Sequence, residues 1–546
     1  MNIALAQLNY HIGNFEYNTQ KIIDNIKLAK EKGAHLVVFA ELAICGYPPR
    51  DFLEFEEFIE LSEAAATEIA TYCHGIACII GLPIKNNTVA GKDLYNAAYF
   101  IEDGKIKSVV RKALLPNYDV FDEYRYFEPG NEFQCIEFQG QKIALTICED
   151  LWNINDNPLY ISNPMDQLIL QKPDLMINIA ASPFSYSHDD ERMVVLADNA
   201  RKYNLPLLYV NQVGAQTEII FDGGSVAFDR KGNLLDEMAY FEEDFKIYKV
   251  VGHEIEDYTP TIHQPSSDVE QIYHALILGI KDYFGKSGFS KAVLGLSGGI
   301  DSAVVCALAC DALGAENVMA VLMPSKYSSD HSIDDALALA KNFGCKHTII
   351  PIKEAADAFD SMMSEAFTGL APNLTEENIQ ARSRGIVVMA MSNKFGYILL
   401  NTSNKSECAV GYGTLYGDMC GAIGVIGDIY KTQVYELAKF INRNGELIPL
   451  NSIVKPPSAE LRPGQKDSDS LPEYDILDKI LFQYIELKKS SKAIIAQGYD
   501  EELVRRIIKM VNTAEFKRYQ TPPILRVSPK AFGMGRRMPI VGKYLS

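Results

Sequence analysis

Two hydrophobic rhythms alternate along the first 250 residues. The apolar runs "MNIALAQL", "AHLVVFAEL", "ACIIGLPI", "LYNAAYFIEDGKIKSVVRK", "QKIALTICED", "PDLMINIAAS" and "LPLLYVNQV" predict strands, several of which end in polar residues. Between the first two, "NTQKIIDNIKLAKEKG" has the spacing of an amphipathic helix and is closed by Gly33. "FDGGSVAFDRKGNLLDEM" predicts a terminal hairpin carrying Asp-Gly and Lys-Gly-Asn turns. This is an α/β pattern, best satisfied by a layered sandwich with mixed sheets.

Periodicity is lost near residue 250, where "VGHEIEDYTPTIHQPSSDVE" gathers Pro, Ser and acids, so a linker is expected over 256–268 between domains 1–255 and 269–546. A helix, "DVEQIYHALILGIKDYFGKSG", follows, and then the apolar runs "KAVLGL", "NVMAVLMP", "HTIIPI" and "YILLNTS" alternate with helical stretches such as "SIDDALALAKNFG". That βαβ order predicts a doubly wound parallel sheet with its site at the carboxyl ends of the strands. "KPPSAELRPGQKDSDSLPEYD" is too long for a plain connector, so it is either a functional loop or disordered. "EELVRRIIKM" reads as a solvated helix.

With 546 residues, 47% hydrophobic and 23% charged, the composition is that of a soluble multidomain protein. A net charge of −19 opposes a broad nucleic-acid-binding face. No apolar run reaches membrane-spanning length, and the N-terminus lacks a signal-peptide pattern. Ten scattered cysteines without a CxxC pair imply reduced thiols in a cytoplasm, and Cys306 and Cys310 are expected to be small core residues.

"LGLSGGIDSA" places Ser297, Gly298 and Gly299 between a strand and a helix start, as a phosphate loop does, yet no Gly-Lys-Ser/Thr follows. Ser-Gly-Gly-x-Asp-Ser instead matches the pyrophosphatase-type loop, whose enzymes cleave ATP between the α- and β-phosphates. Ser297, Gly298, Gly299 and Ser302 would wrap pyrophosphate oxygens. Asp301 can approach them only with a cation between, which points to Mg²⁺. "LLNTSNKSECAVGYGTLYGDMCG" packs Thr402, Asn404, Lys405, Ser406 and Glu407 just past a strand. Lys405 or Lys431 would supply charge to the triphosphate, and Glu407 would share the metal.

"SGGIDSA", "MPSKYSS", "ENIQARSRG", "TSNKSE", "GDIYKTQVYELA", "PPSAELRPGQ" and "FKRYQTPP" occur together and in order. Over residues 268–546 they resemble the NAD synthetases, of adenine nucleotide α-hydrolase-like fold. The resemblance implies adenylation of deamido-NAD⁺ and displacement of AMP by ammonia. It implies ATP contacts from Gly295, Leu296, Ser297, Gly298, Gly299, Ile300, Asp301, Ser302 and Thr402. Asn378, Arg382, Glu407 and Lys517 would sit near deamido-NAD⁺, and Asp301 and Glu407 at the metal. "AFGMGRRMPI" lacks an acid that the family pattern puts between the Gly and the Arg pair, a change expected to touch the packing of the tail.

Ammonia at neutral pH is mostly ammonium, which is no nucleophile, so a domain releasing it from an amide would solve the supply. Glu41, Lys112 and Cys148 lie at strand ends and together make a coherent amidase: thiolate nucleophile, proton carrier and oxyanion stabiliser. A lysine beside a cysteine also lowers the thiol pKa. These residues and their surroundings resemble the nitrilase (carbon–nitrogen hydrolase) family over residues 1–250, implying an α-β-β-α sandwich. The same resemblance makes Glu123 a second carboxylate, lays Tyr118 over glutamine and sets Ser182 at its amino-acid end. His188 stands where the family pattern has lysine and matches a carboxylate's charge only when protonated. Trp152 suits pocket wall and core equally.

Joined, the halves resemble glutamine-dependent NAD synthetases. The implied substrates are deamido-NAD⁺, ATP and L-glutamine, with neither nucleic acid nor membrane as partner, in a cytoplasmic homo-oligomer. Another glutamine-dependent adenylating amidotransferase, such as a GMP- or asparagine-forming enzyme, is the alternative.

Overall fold

The computed structural model describes residues 1–544 apart from 89, 155–157, 257, 264 and 265; part of the linker expected over 256–268 therefore lies outside the described residues. The chain divides into two compact units, Met1–Ser266 and Ser267–Ser546.

The first unit holds a seven-stranded sheet in the order Glu254–Glu256, Asp244–Val251, Asn2–Gln7, Leu36–Val38, Ala77–Lys85, Leu94–Glu102, Lys105–Arg111. A six-stranded sheet runs Leu234–Glu237, Val226–Phe228, Leu207–Asn211, Leu175–Ala180, Gln141–Ile147, Ile136–Phe138. Both mix parallel and antiparallel pairs. One buried apolar cluster takes Ile79 and Phe100 from the first sheet and Ile177 and Val210 from the second. It also takes Ile22 and Ile26 from helix Phe15–Glu31 and Leu196 and Ala200 from helix His188–Tyr203. Helices thus cover a double-sheet core, the α-β-β-α sandwich.

The expected terminal hairpin is half right. Val226–Phe228 and Leu234–Glu237 do pair across the Lys-Gly-Asn turn. The Asp222-Gly223 step instead leaves a separate two-stranded ribbon, Val213–Gln216 with Ile219–Asp222, for the six-stranded sheet. Gly223 and Gly224 both have positive φ there, which lets the chain change sheets.

The second unit is built on five parallel strands in the order Lys346–Ile349, Val318–Leu322, Ala292–Gly295, Ile398–Asn401, Ile423–Gly424. The strand order reverses beside Ala292–Gly295, and that is where a doubly wound sheet opens a crevice. A second core forms among the helices Tyr474–Ile485, Ser491–Ile495 and Glu501–Thr513. The last of these is not the solvated helix expected, because Val504, Ile507, Ile508 and Val511 are buried on one face. Near the C-terminus, Arg536 reaches Glu515, 2.9 Å away, which also pairs with Arg518 at 2.6 Å.

Lys405 is wholly buried, 2.9 Å from Asp428 and 2.7 Å from Glu486. It also donates to Ser528 Oγ at 2.7 Å and Lys530 O at 3.0 Å. Its charge is spent on packing the tail, which corrects the expectation of a triphosphate contact. Lys405→Met should strand two buried carboxylates and destabilise the chain by about 3–5 kcal/mol, read as a lowered urea midpoint for the second unit's transition.

Candidate active sites

In the first unit, Glu41 lies on the irregular segment that follows Leu36–Val38. Gly81 makes room for it, since a Cβ there would stand 2.3 Å from Leu42 N. Lys112 follows strand Lys105–Arg111, and Cys148 follows Gln141–Ile147 with φ +43, in the left-handed region non-glycine residues rarely occupy. Asp150 ties these segments together. Its carboxylate accepts from Ile147 N at 3.0 Å, Ala113 N at 3.0 Å and Leu114 N at 2.9 Å.

Lys112 Nζ is 2.6 Å from Glu41 Oε1 and 2.8 Å from Glu123 Oε1, and all three side chains are buried. Asn96 Nδ2 donates to Glu41 at 2.7 Å and to Glu123 at 3.3 Å, while Tyr47 OH donates to Glu123 at 2.9 Å. Ala181 N caps the other Glu41 oxygen at 3.1 Å. Burial lowers the affinity of Lys112 for its proton, but Glu123 and Glu41 outweigh it and hold the ammonium well above the lysine range. The expectation that Lys112 depresses the Cys148 thiol is half met. Burial and Glu41 push that thiol well up, and Lys112 only opposes them. The resting thiol is protonated, so attack requires a base.

Tyr118 and Tyr160 both donate to Glu149, next to the thiol, at 3.0 Å. Burial raises the Glu149 carboxyl to about 7 against the pull of Lys112 and both tyrosines. A raised carboxyl means the folded state favours the neutral form, so stability is lost as pH climbs from the ordinary carboxylate range through 7. Glu149→Gln should therefore gain up to about 3 kcal/mol over the parent at pH 8 and nothing at pH 4, measured by paired melts. Ser182 Oγ lies 3.1 Å from His188 Nε2, and the half-buried Trp152 stacks on His188 with centroids 5.0 Å apart. Sequence reasoning missed Asn96, Tyr47 and Glu149. Only Asn96 carried a signal, an amide inside the apolar run "LYNAAYF".

In the second unit, a cavity of about 520 Å³ opens at the carboxyl ends of the strands. Gly295, Leu296, Ser297, Gly299, Ile300, Asp301 and Ser302 line it together with Thr402. Gly298 has φ +79, and a Cβ there would stand 2.1 Å from Ser332 O, so only glycine lets the loop turn. Ser297 Oγ is 3.1 Å from Ser302 Oγ and accepts from Gly299 N at 3.2 Å. Asn404 Nδ2 donates to Asp301 at 3.0 Å, and Lys431 Nζ pairs with the other Asp301 oxygen.

Asn378, Glu407 and Lys517 line the same cavity. Arg382 does not; it is exposed, bonding Leu415 O at 3.2 Å, and Arg384 lines the wall instead. Two residues along a helix turn a side chain roughly 200° around the axis. The long segment, expected as a functional loop or disordered, lines the cavity: Lys455 to Arg462, Gln465, Asp467 and Ser470 close one side. Burial drives the Glu407 carboxyl well up, and Asp301 and Asp467 add to it against Lys431. Asp301, Glu407 and Asp467 all line the cavity around Lys431, and carboxylate oxygens are the donor type a hard divalent cation takes. Burial lowers the Lys517 ammonium, whose Nζ bonds Gly411 O at 2.8 Å and Gly413 O at 2.7 Å.

The carbon–nitrogen hydrolase family model matches residues 2–258, and the NAD synthase model matches 272–521. The chain is 46% identical to a glutamine-dependent NAD(+) synthetase of Synechocystis sp., covering 98% of each. It is 39% identical to the one of Thermotoga maritima over 100% of this chain and 99% of that one. A solved glutamine-dependent NAD+ synthetase of Acinetobacter baumannii in complex with ADP matches with TM-score 0.79 at 38% identity, covering 100% of this chain and 99% of that one. One of Cytophaga hutchinsonii shares the fold, with TM-score 0.83 at 21% identity over 100% of this chain and 98% of that one. Among the described residues no helix is long and apolar enough to cross a membrane.

Proposed function

The chain belongs to the glutamine-dependent NAD(+) synthetases, and on that premise we propose how its residues divide the reaction. Deamido-NAD⁺, ATP, L-glutamine and water give NAD⁺, AMP, pyrophosphate and L-glutamate. Cys148 Sγ attacks the glutamine amide carbon and Glu41 takes the thiol proton. Glu41 returns that proton to the departing nitrogen as ammonia leaves, and water then hydrolyses the thioester to glutamate. Lys112 stabilises the oxyanion. Glu123 and Asn96 fix the Glu41–Lys112 pair, while Tyr118, Ser182 and His188 bound the glutamine backbone. The observation that carries this half is the ammonium of Lys112 held between Glu41 and Glu123 beside Cys148.

In the synthetase unit, the loop Gly295–Ser302 and Thr402 hold ATP; Asn378, Glu407 and Lys517 face deamido-NAD⁺ in the same cavity. Asp301 and Glu407, with Asp467 beside them, would hold Mg²⁺, which neutralises phosphate oxygens when bound. Arg382, on the exposed side of its helix, would meet substrate only at the cavity's rim. A cytoplasmic location and a homo-oligomeric assembly belong to the same reading.

Product analysis tests it. With all three substrates, AMP and pyrophosphate should form one for one with NAD⁺; ADP and orthophosphate would overturn the adenylation step.

A further inference from the structure

None of the thiols of the synthetase unit enters this chemistry, yet three of them converge. Cys306 and Cys310 lie one turn apart on helix Ile300–Leu313, and Cys345 directly precedes the edge strand Lys346–Ile349. Their three sulfurs all fall within 4.8 Å of one another, and Cys306 Sγ stands 3.9 Å from Cys345 Sγ. All three residues are buried. Thiolates bound to a single ion at about 2.3 Å sit about 3.8 Å apart around a tetrahedral centre and about 4.0 Å apart around a trigonal one. A disulfide needs about 2.05 Å. The 3.9 Å between Cys306 and Cys345 is compatible with ligands sharing an ion and too long for a disulfide.

We propose that Cys306, Cys310 and Cys345 form a structural site for one thiophilic cation of the zinc class, with water in the fourth position. Soft sulfur donors select such an ion over Mg²⁺, so the site does not compete with the carboxylates of the ATP cavity. The ion would join two elements distant in sequence. One is the helix whose first turn carries Asp301 and Ser302; the other is the strand at the rim of the sheet. A helix braced at its middle holds its first turn, and with it the phosphate loop, in place.

The test uses the full chain, stripped by chelator under reductant. Titration with Cd²⁺ should raise an ultraviolet thiolate-to-metal band that saturates at one ion per chain, and Zn²⁺ should displace it. Cys306→Ala and Cys345→Ala should each weaken binding by more than about 100-fold, since even losses outside the ligand shell cost about 10- to 100-fold; Cys420→Ala should bind as the parent does. A second measurement needs no variant: Zn²⁺ should slow alkylation of Cys306, Cys310 and Cys345 at least tenfold and leave Cys420 unprotected. No band, a band that survives both trio variants, equal alkylation with and without Zn²⁺, or a Cys306–Cys345 disulfide in place of the ion would each overturn the site.

Discussion

Replacing Cys148 with alanine should cut glutamine-supported NAD⁺ synthesis by about four orders of magnitude or more and leave ammonium-supported synthesis within about twofold of the parent. The first number follows from removing the nucleophile of a covalent mechanism, after which only unassisted water remains. The second follows from the architecture. Every residue lining the cavity of the second unit lies between Gly295 and Lys517, inside the unit that starts at Ser267. The Cys148 site is assembled wholly from the other unit, and its side chain is small and buried, so alanine leaves the fold intact. The assay compares NAD⁺ formed from deamido-NAD⁺ and ATP with glutamine or with ammonium chloride, at a pH high enough to supply free ammonia. Equal loss with both nitrogen sources would mean that the two chemistries share a site.

How much of this was legible in the sequence depends on where each residue sits on its element. Glu41 and Cys148 each come just past a buried apolar strand, where a polar residue is visible as an interruption; Lys112 follows Lys105–Arg111, a largely exposed strand, and stands out less. Asn96 sits inside such a run, so its amide reads as a flaw in a strand until the fold brings Glu41 and Glu123 to it. Lys405 and Lys431 look interchangeable in the sequence, each standing at the first position of a helix. Only three-dimensional packing separates them: Lys405 meets Asp428 and Glu486 from later segments, and Lys431 meets Asp301. Arg382 and Arg384 differ by a rotation about one helix, which a motif cannot register. Asp467 lies in a segment without periodicity, where local pattern carries no information about direction. The three thiols repeat the lesson, because Cys345 is remote in sequence from a pair whose own spacing says only that they share a helix face.

Asp301→Asn should have the opposite signature to the cysteine variant. Synthesis should fall by about 100- to 1000-fold with either nitrogen source, the usual loss when one charge-stabilising group is removed, while glutamine hydrolysis continues. Asparagine keeps the size of the side chain and can still accept from Asn404, so the loop from Ser297 to Ser302 keeps its shape. What it removes is one negative charge from a cluster whose repulsion is visible in Glu407, where burial and then Asp301 drive the carboxyl up. With that neighbour neutral, Glu407 should ionise more readily. Lys431, which now pairs with Asp301, would be left with Glu407 as its main counter-charge. A lysine held by Glu407 obstructs the remaining cation donors, so the variant should also demand a higher Mg²⁺ concentration to reach its residual rate. Fold loss alone would lower the rate without moving that Mg²⁺ midpoint. Ammonium-supported synthesis that stays within a few-fold of the parent at limiting Mg²⁺ would show that Asp301 serves the helix start and that the cation is held elsewhere.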